Sequence, residues 1–316
     1  MARLKGIDSL VAGFARRRPM RAGSLIVTVF GDSIAPLGNS IWLGSLIRLL
    51  EPFGLNARQI RTAVFRLVKE GWLKAERTGR KSYYGFSAYG LRQYEKAAKR
   101  IYAIHRPNWD GQWTLVLPTF VTDRERAELR RDLQWQGFGA LAPGLLAHPS
   151  ADQASLRATI EERRVAGKVV ILEARSGELA PPQALTRLVR ECWKLDTLAK
   201  RYRQFLRTFE PVAAEIERTR DGLDAEQCLQ LRTLLIHEYR RILLHDTDLP
   251  DALLPEDWPG REASALTAES YTLIHARAAD FVSEKVTTQG GHTPNLDAKY
   301  GARFGDGDRE SRDDAS

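Results

Sequence analysis

The stretch from Asn39 to Phe86, NSIWLGSLIRLLEPFGLNARQIRTAVFRLVKEGWLKAERTGRKSYYGF, constrains the fold more than any other part of this chain. Leu43, Leu46, Ile47 and Leu50 recur at i, i+3, i+4 and i+7, which places them on one face of a helix. Asn39 or Ser40 can cap its start by accepting a free backbone N–H. Pro52 and Gly54 end it, because proline cannot continue the ladder and glycine accepts a left-handed turn. Asn56 then caps a second helix, expected from Ala57 to about Glu70, with Gly71 at its end. The run LKAER–TGR–KSYYGF alternates and turns at Gly79, as a hairpin does. Helix, turn, helix and hairpin in this order predict a winged helix-turn-helix.

The second helix has two unlike faces. With about 100° per residue and Ile60 as reference, Ala63, Val64, Leu67 and Val68 fall on the Ile60 side. Arg58, Thr62, Phe65 and Lys69 point away, and Gln59, Arg61 and Arg66 lie on the flanks. One face can pack on the first helix. The other presents guanidinium, amide and hydroxyl groups, which suit guanine edges, adenine edges and thymine methyls. Arg77, Arg80 and Lys81 cluster at the expected hairpin tip, where a phosphate backbone would pass. The candidate DNA-binding residues are therefore Arg58, Gln59, Arg61, Thr62, Arg66, Lys69, Arg77, Arg80 and Lys81. The competing reading is an amphipathic helix pair with a solvated charged face. It accounts for either half of the pattern and not for the ordered set.

Charge supports the same reading. The 316-residue chain has a formal net charge of +8. Residues 1–107 hold 20 Lys and Arg against 6 Asp and Glu, a net of +14, while the remainder carries −6. A basic module joined to a mildly acidic body is what a polyanion-binding protein requires. The two cysteines, Cys192 and Cys228, fall on apolar helical stripes, as buried thiols of a reducing compartment do. No Cys/His set has metal-binding spacing. The apolar run Ser24–Phe30 is too short to span a bilayer. A cytoplasmic location is expected, with a mitochondrial presequence as the rival for the Arg-rich start.

The rest of the chain suggests four further segments around this domain. Residues 1–20 read as a mobile basic arm, with Arg16, Arg17 and Arg18 able to follow a phosphate backbone. Residues 21–107 form the winged-helix domain. Within it, Ser24 to about Leu37 is a supporting helix, and SAYGLRQYEKAAKRIYAIHR is a connector helix. Residues 108–181 alternate strands (WTLVLPTF, ALAPGLLAHP, GKVVILEARSG) with the helix RERAELRRDLQWQGFG, which implies a small α/β sandwich. Gly137, Gly139 and Gly144 do not make the G-x-G-x-x-G of a dinucleotide site. Residues 182–286 are helical. One stripe runs along a single long helix from Leu185 to Phe209, a second from Cys228 to Ile242, and a third from Tyr271 to Phe281. HDTDLPDALLPEDWPG is a non-helical crossing between the last two. Residues 287–316 are too polar to bury a core and read as a disordered tail.

Four pieces, LLEPFGLNARQIRTAVFRLVKEGWL, GRKSYYGFSAYG, GFGALAPG and HEYRRILLHDTDLPDALLPEDWPG, together resemble the PaaX family of phenylacetate-operon repressors. The resemblance covers Arg21 to Val286. It implies a winged-helix domain, a central ferredoxin-like domain similar to Cas2 and a helical C-terminal domain, an α+β multidomain fold. It also implies a homodimer on palindromic operator DNA, released by an aryl-acetyl-CoA such as phenylacetyl-CoA, with no bound cofactor. Thr247 departs from it, since the family more often has proline there. Lys99, Arg100, Arg106, Trp109 and Trp113, at the boundary of the first two domains, offer cations for CoA phosphates and aromatics for its adenine or aryl group. Their alternative role is a solvated basic connector with core tryptophans. Two alternatives in function follow from the same fold: a regulator of another CoA thioester, or a metal-dependent nuclease using Asp123 after the first central strand. His237 and Glu238 begin an H-E-x-x-H, but its fifth position is Arg241, so that zinc motif is excluded. No enzymatic activity is expected.

Overall fold

A computed structural model describes residues 3–102, 109–176, 182–219, 222–288 and 303–304. The chain divides into two compact units. One comprises Met1–Ile104, Gln204–Arg241 and Arg261–Ser316, and the other His105–Arg203 and Ile242–Gly260.

In the first unit, α1 (Lys5–Ala15) precedes α2 (Ala22–Val29), which continues through a π turn and a 3-10 turn to Leu37. Next come β1 (Ile41–Trp42), α3 (Leu43–Leu50), α4 (Ala57–Lys69), β2 (Leu73–Thr78), β3 (Lys81–Phe86) and α5 (Ala88–Ile101). The strands form one antiparallel sheet in the order β1-β3-β2. Gly54 closes the turn between α3 and α4 with φ +82°, and a Cβ there would lie 2.7 Å from the Ala15 carbonyl oxygen. Only glycine fits, because α1 packs directly on that turn.

The mobile arm expected over residues 1–20 is instead largely a helix. Ile7, Val11 and Phe14 are buried on one face of α1. Their i, i+4, i+7 spacing was present in the sequence, overshadowed by the arginines that follow. Gln227 holds the helix start through both the N–H and the C=O of Leu4. Arg17 pairs with Glu238 at 2.9 Å, and Arg18 donates to the carbonyls of Ala15 and Arg17. Those two cations have protein partners.

Asn39 does not cap α3. It sits at φ 53°, and its amide donates to the Phe86 carbonyl and accepts the Phe86 N–H, which prolongs the sheet. An amide carries both donor and acceptor and so mimics a strand neighbour. The cap position of α3 is Trp42, with no side-chain cap.

A charged network lies inside this unit. The Asp32 carboxylate faces the Arg232 guanidinium at 2.9 Å and Arg303 at 3.2 Å, and accepts hydrogen bonds from the hydroxyls of Tyr102 and Tyr271. Burial pushes the Asp32 pKa up. The two guanidiniums and two hydroxyls outweigh it and hold the carboxyl below the usual range. Removing one partner from such a pair costs about 3–5 kcal/mol, because the other charge is left buried. Arg303 also donates to Tyr94 and to the Gly31 carbonyl. Of the tail expected over residues 287–316, Thr287, Thr288, Arg303 and Phe304 are placed, and the remaining positions lie outside the described residues.

In the second unit, the chain order is β4 (Gln112–Leu117), α6 (Asp123–Trp135), β5 (Gly139–Ala142), β6 (Leu145–His148), α7 (Gln153–Glu162) and β7 (Val170–Arg175). The fully antiparallel sheet runs β5-β6-β4-β7, the split βαβ order of a ferredoxin-like unit. Val116, Leu129, Leu133, Leu146, Leu156 and Ile160 form its core. The single long helix expected from Leu185 to Phe209 is two: α8 (Pro182–Cys192) and α9 (Leu195–Arg218), broken at Lys194, φ 51°. The break lets the Trp193 indole donate to the Gly137 carbonyl at 2.8 Å. A Cβ on Gly139 would meet the Trp193 ring at 2.7 Å, so this glycine-rich turn is shaped by a tryptophan and not by a phosphate. Of the remaining helices, α10 (Ala225–Leu243) and α11 (Pro259–Lys285) complete the chain, with a short 3-10 turn at Asp251–Leu253 in the crossing between them. Cys228 is buried, and burial pushes its thiol up to about 11. Cys192 is only half-buried.

Candidate nucleic-acid interface

The α4 helix is built to show one face. Asn56 accepts the Gln59 N–H at 2.9 Å, and the Gln59 side chain accepts the Asn56 N–H at 2.9 Å, a full capping box. At the far end, the Trp72 N–H bonds the Leu67 carbonyl. Ile60, Val64 and Leu67 are buried, while Ala63 and Val68 are half-buried on the same side. Burying each of the three large side chains contributes roughly 1.5–3 kcal/mol against about 1 for a cap, so the apolar stripe decides which way the helix faces. Arg58, Arg61, Thr62, Phe65, Arg66 and Lys69 are all exposed as a result.

Not every candidate is equally available. Gln59 is exposed, but its carbonyl oxygen is committed to the cap, which leaves only its NH₂ to meet a base. Arg66 pairs with Glu70 at 3.2 Å on the solvated surface, an interaction weak enough to be exchanged for phosphate. The sequence list omitted one residue. Phe65 is 72% exposed in the middle of the outward face. The helical projection turns it outward, an apolar ring among polar candidates. A ring there can meet a thymine methyl.

The hairpin stands beside this helix. β2 and β3 pair from Leu73↔Phe86 to Thr78↔Lys81, so the tip holds Gly79 and Arg80. Arg77, Arg80 and Lys81 are exposed. Arg77 donates to the Gly79 carbonyl at 3.3 Å, and the Lys81 ammonium stands 5.0 Å from the Trp42 ring centre. A cation resting on an aromatic face is positioned without being neutralised.

The other candidates fare differently. Lys99 and Arg100 are exposed on α5 in the first unit, whereas Trp109 and Trp113 belong to the second unit. Arg106 lies outside the described residues. The Trp113 indole is buried and donates to the Ser176 hydroxyl at 2.9 Å, and its ring meets those of Trp109 and Trp193. That is a core role. Asp123 is the first residue of α6, in the turn capped by Thr122 and Glu125, where a carboxylate favours the helix dipole. Among the described residues no group of three His, Cys, Asp or Glu side chains could hold a metal ion. His237 is buried against Phe14 and hydrogen-bonds Thr28. Burial, then the Arg240, Arg241 and Arg17 charges, push it down to about 3, so it is a neutral core residue.

An exposed basic helix next to a basic hairpin, joined to a ferredoxin-like unit and long C-terminal helices, defines a multidomain α+β protein with a surface suited to nucleic acid. Residues 21–90 match the family described as PaaX-like protein, residues 106–186 the PaaX protein central Cas2-like domain, and residues 193–284 the PaaX-like protein C-terminal domain. The chain is 40% identical over 299 residues to the transcriptional repressor PaaX of Escherichia coli strain K12, covering 95% of each. The chain belongs to the PaaX family. An uncharacterised protein of Mycobacterium tuberculosis is a further similar solved structure. It is 25% identical with a TM-score of 0.49, covering 74% of this chain and 88% of that one. Among the described residues no helix is long and apolar enough to cross a membrane.

Proposed function

We propose that this protein is a DNA-binding transcriptional repressor of a phenylacetate catabolic operon, released from its operator by an aryl-acetyl-CoA. The observation that carries the DNA-binding part is the exposed α4 face, with Arg58, Arg61 and Thr62 on a helix whose opposite side is buried. In this reading α3, α4, β2 and β3 act as a winged helix-turn-helix. α4 enters the major groove, and Arg77, Arg80 and Lys81 meet the phosphate backbone. The protein binds a two-fold operator as a homodimer, because a single α4 reads only one half-site. The relative that is 40% identical is named a transcriptional repressor, which supports regulation without enzymatic chemistry.

The thioester rests on the family resemblance, and thermodynamics sets what it must do. A ligand shifts a repressor only if its affinity differs between DNA-competent and DNA-incompetent states. The expected result is release of operator DNA by micromolar phenylacetyl-CoA in a mobility-shift assay, with phenylacetate and free CoA inactive. Release by phenylacetate alone would replace the thioester with the free acid. Equal binding of operator and scrambled DNA at every salt concentration would remove the repressor reading altogether.

A further inference from the structure

A cleft of about 540 Å³ opens in the first unit where α3 meets α10 and α11. That is within the range of small-molecule sites, roughly 300–1,000 Å³. Its floor is apolar: Leu49, Pro52 and Phe53 from the α3 end, Leu229 from α10 and Phe281 from α11. Phe53 and Leu229 are buried, whereas Leu49, Pro52 and Phe281 are left half-exposed by the fold. Its rim is charged, with Arg48 and Lys285 exposed. Glu226 and Glu284 also lie on the rim. An apolar floor beneath a rim of both signs suits a ligand with an apolar end and a polar, phosphate-bearing end.

The cleft wall is bonded to β1, the strand that pairs with the hairpin. Thr287 lines the cleft, its carbonyl accepts the Trp42 N–H at 2.9 Å, and its N–H donates to the Ser45 hydroxyl at 3.2 Å. Arg48, also lining the cleft, holds its guanidinium 5.7 Å from the Trp42 ring centre. Trp42 lies in β1, opposite Tyr83 of β3, and the same ring carries Lys81. A group that draws Arg48 or Thr287 toward the cleft therefore acts on the residue that positions the hairpin cation.

We infer that this cleft is the effector site. It takes the apolar acyl end of an acyl thioester on its floor, its rim cations meet the thioester's phosphates, and the occupied site acts on the hairpin through Trp42. The inference rests on the thioester reading above. It places the ligand here and not at the boundary residues Lys99 and Arg100.

The test is calorimetric titration of phenylacetyl-CoA onto the full chain, paired with operator mobility shifts on the same preparations. Leu49→Trp fills the floor, and Lys285→Glu reverses a rim charge on an exposed side chain. Both should weaken thioester binding at least tenfold and leave ligand-free operator binding unchanged, while Arg100→Ala binds as the wild type does. If Leu49→Trp fails to fold, Lys285→Glu decides. Wild-type affinity in both variants, with operator release intact, overturns the site and leaves the effector reading standing. Loss of binding in the variants without operator release by the wild type supports the site and ends the effector reading. No binding to the wild type at millimolar thioester overturns the site.

Discussion

Arg58→Ala is the substitution that most directly tests how α4 reads DNA. Arg58 follows the cap and is exposed, so its removal should leave folding stability within about 0.5 kcal/mol. A guanidinium bidentate to a guanine discriminates by about 1–3 kcal/mol, or roughly 5- to 150-fold in affinity. Fluorescence anisotropy with operator and scrambled duplexes at one salt concentration should therefore show that ratio fall by about this factor. Scrambled-DNA affinity should drop only by the loss of one charge. Thr62→Ala and Phe65→Ala should lower the ratio as well, at positions about four and about seven residues along the same face, or about one and two turns. The control is Asn56→Ala. It removes the capping box, costs about 1 kcal/mol of stability and lowers Tm by about 2–4 °C, but leaves the discrimination ratio alone. An unchanged ratio in Arg58→Ala and Thr62→Ala together would refute the assignment of α4 as the reading helix.

Three further outcomes are expected. Arg80→Ala and Lys81→Ala should weaken binding to all sequences alike and each flatten the salt dependence by about one unit, measured from log K against log salt. Asp123→Asn should leave operator binding intact, and no magnesium- or manganese-dependent cleavage of DNA should appear on gels; cleavage abolished by that substitution would make the protein a nuclease. His237 titrates near 3 when folded and near 6.5 when unfolded, so the unfolded chain binds more protons between those values and stability falls as pH falls. Between pH 6.5 and 5 this single group should account for about 2 kcal/mol in urea denaturation, and His237→Leu should lose correspondingly less.

What the sequence made legible was local. The α4 stripe, its Asn56 cap and the Gly79 turn each depend on residues within one or two turns of one another, and all appear where their spacing puts them. The features that escaped depend on distant partners. Asn39 has a helix-capping side chain, yet its amide is taken by Phe86, 47 residues on. The apolar stripe from Leu185 to Phe209 is continuous in the sequence, and the chain breaks it so that Trp193 can reach Gly137. Asp32 follows the apolar run Ser24–Phe30 with no charged neighbour in the sequence to pair with. It is the centre of a buried ionic network whose guanidiniums come from Arg232 and Arg303. Site residues divide in the same way: exposure on α4 follows from periodicity, whereas Gln59's commitment to the cap and the cleft beside α3 emerge only when side chains are placed.

The helix pair also depends on chain segments far outside it. A module of about 60 residues buries only about 60% of its unfolded surface and is marginally stable alone. Here the turn after α3 is covered by α1: Phe14 meets Phe53 edge-to-face with ring centres 6.1 Å apart, and Ala15 closes over Gly54. The strand leading into α3 is tied to Thr287, beyond the end of α11. α2, which packs on α4, carries Thr28 against His237 of α10 and Asp32 against Arg232. A fragment of residues 21–107 would keep the whole reading surface and lose each of these contacts. It would also strip the Asp32 carboxylate of Arg232, Arg303 and Tyr271 and open to water the apolar surface that α10 and α11 cover. The fragment should therefore show a non-cooperative thermal melt by circular dichroism and bind operator no better than scrambled DNA. Adding residues 1–20 back should not restore it, because α10 and α11 would still be missing. A cooperative melt and full operator discrimination by the fragment alone would show that the helix pair, and not the unit built around it, holds α4 in place.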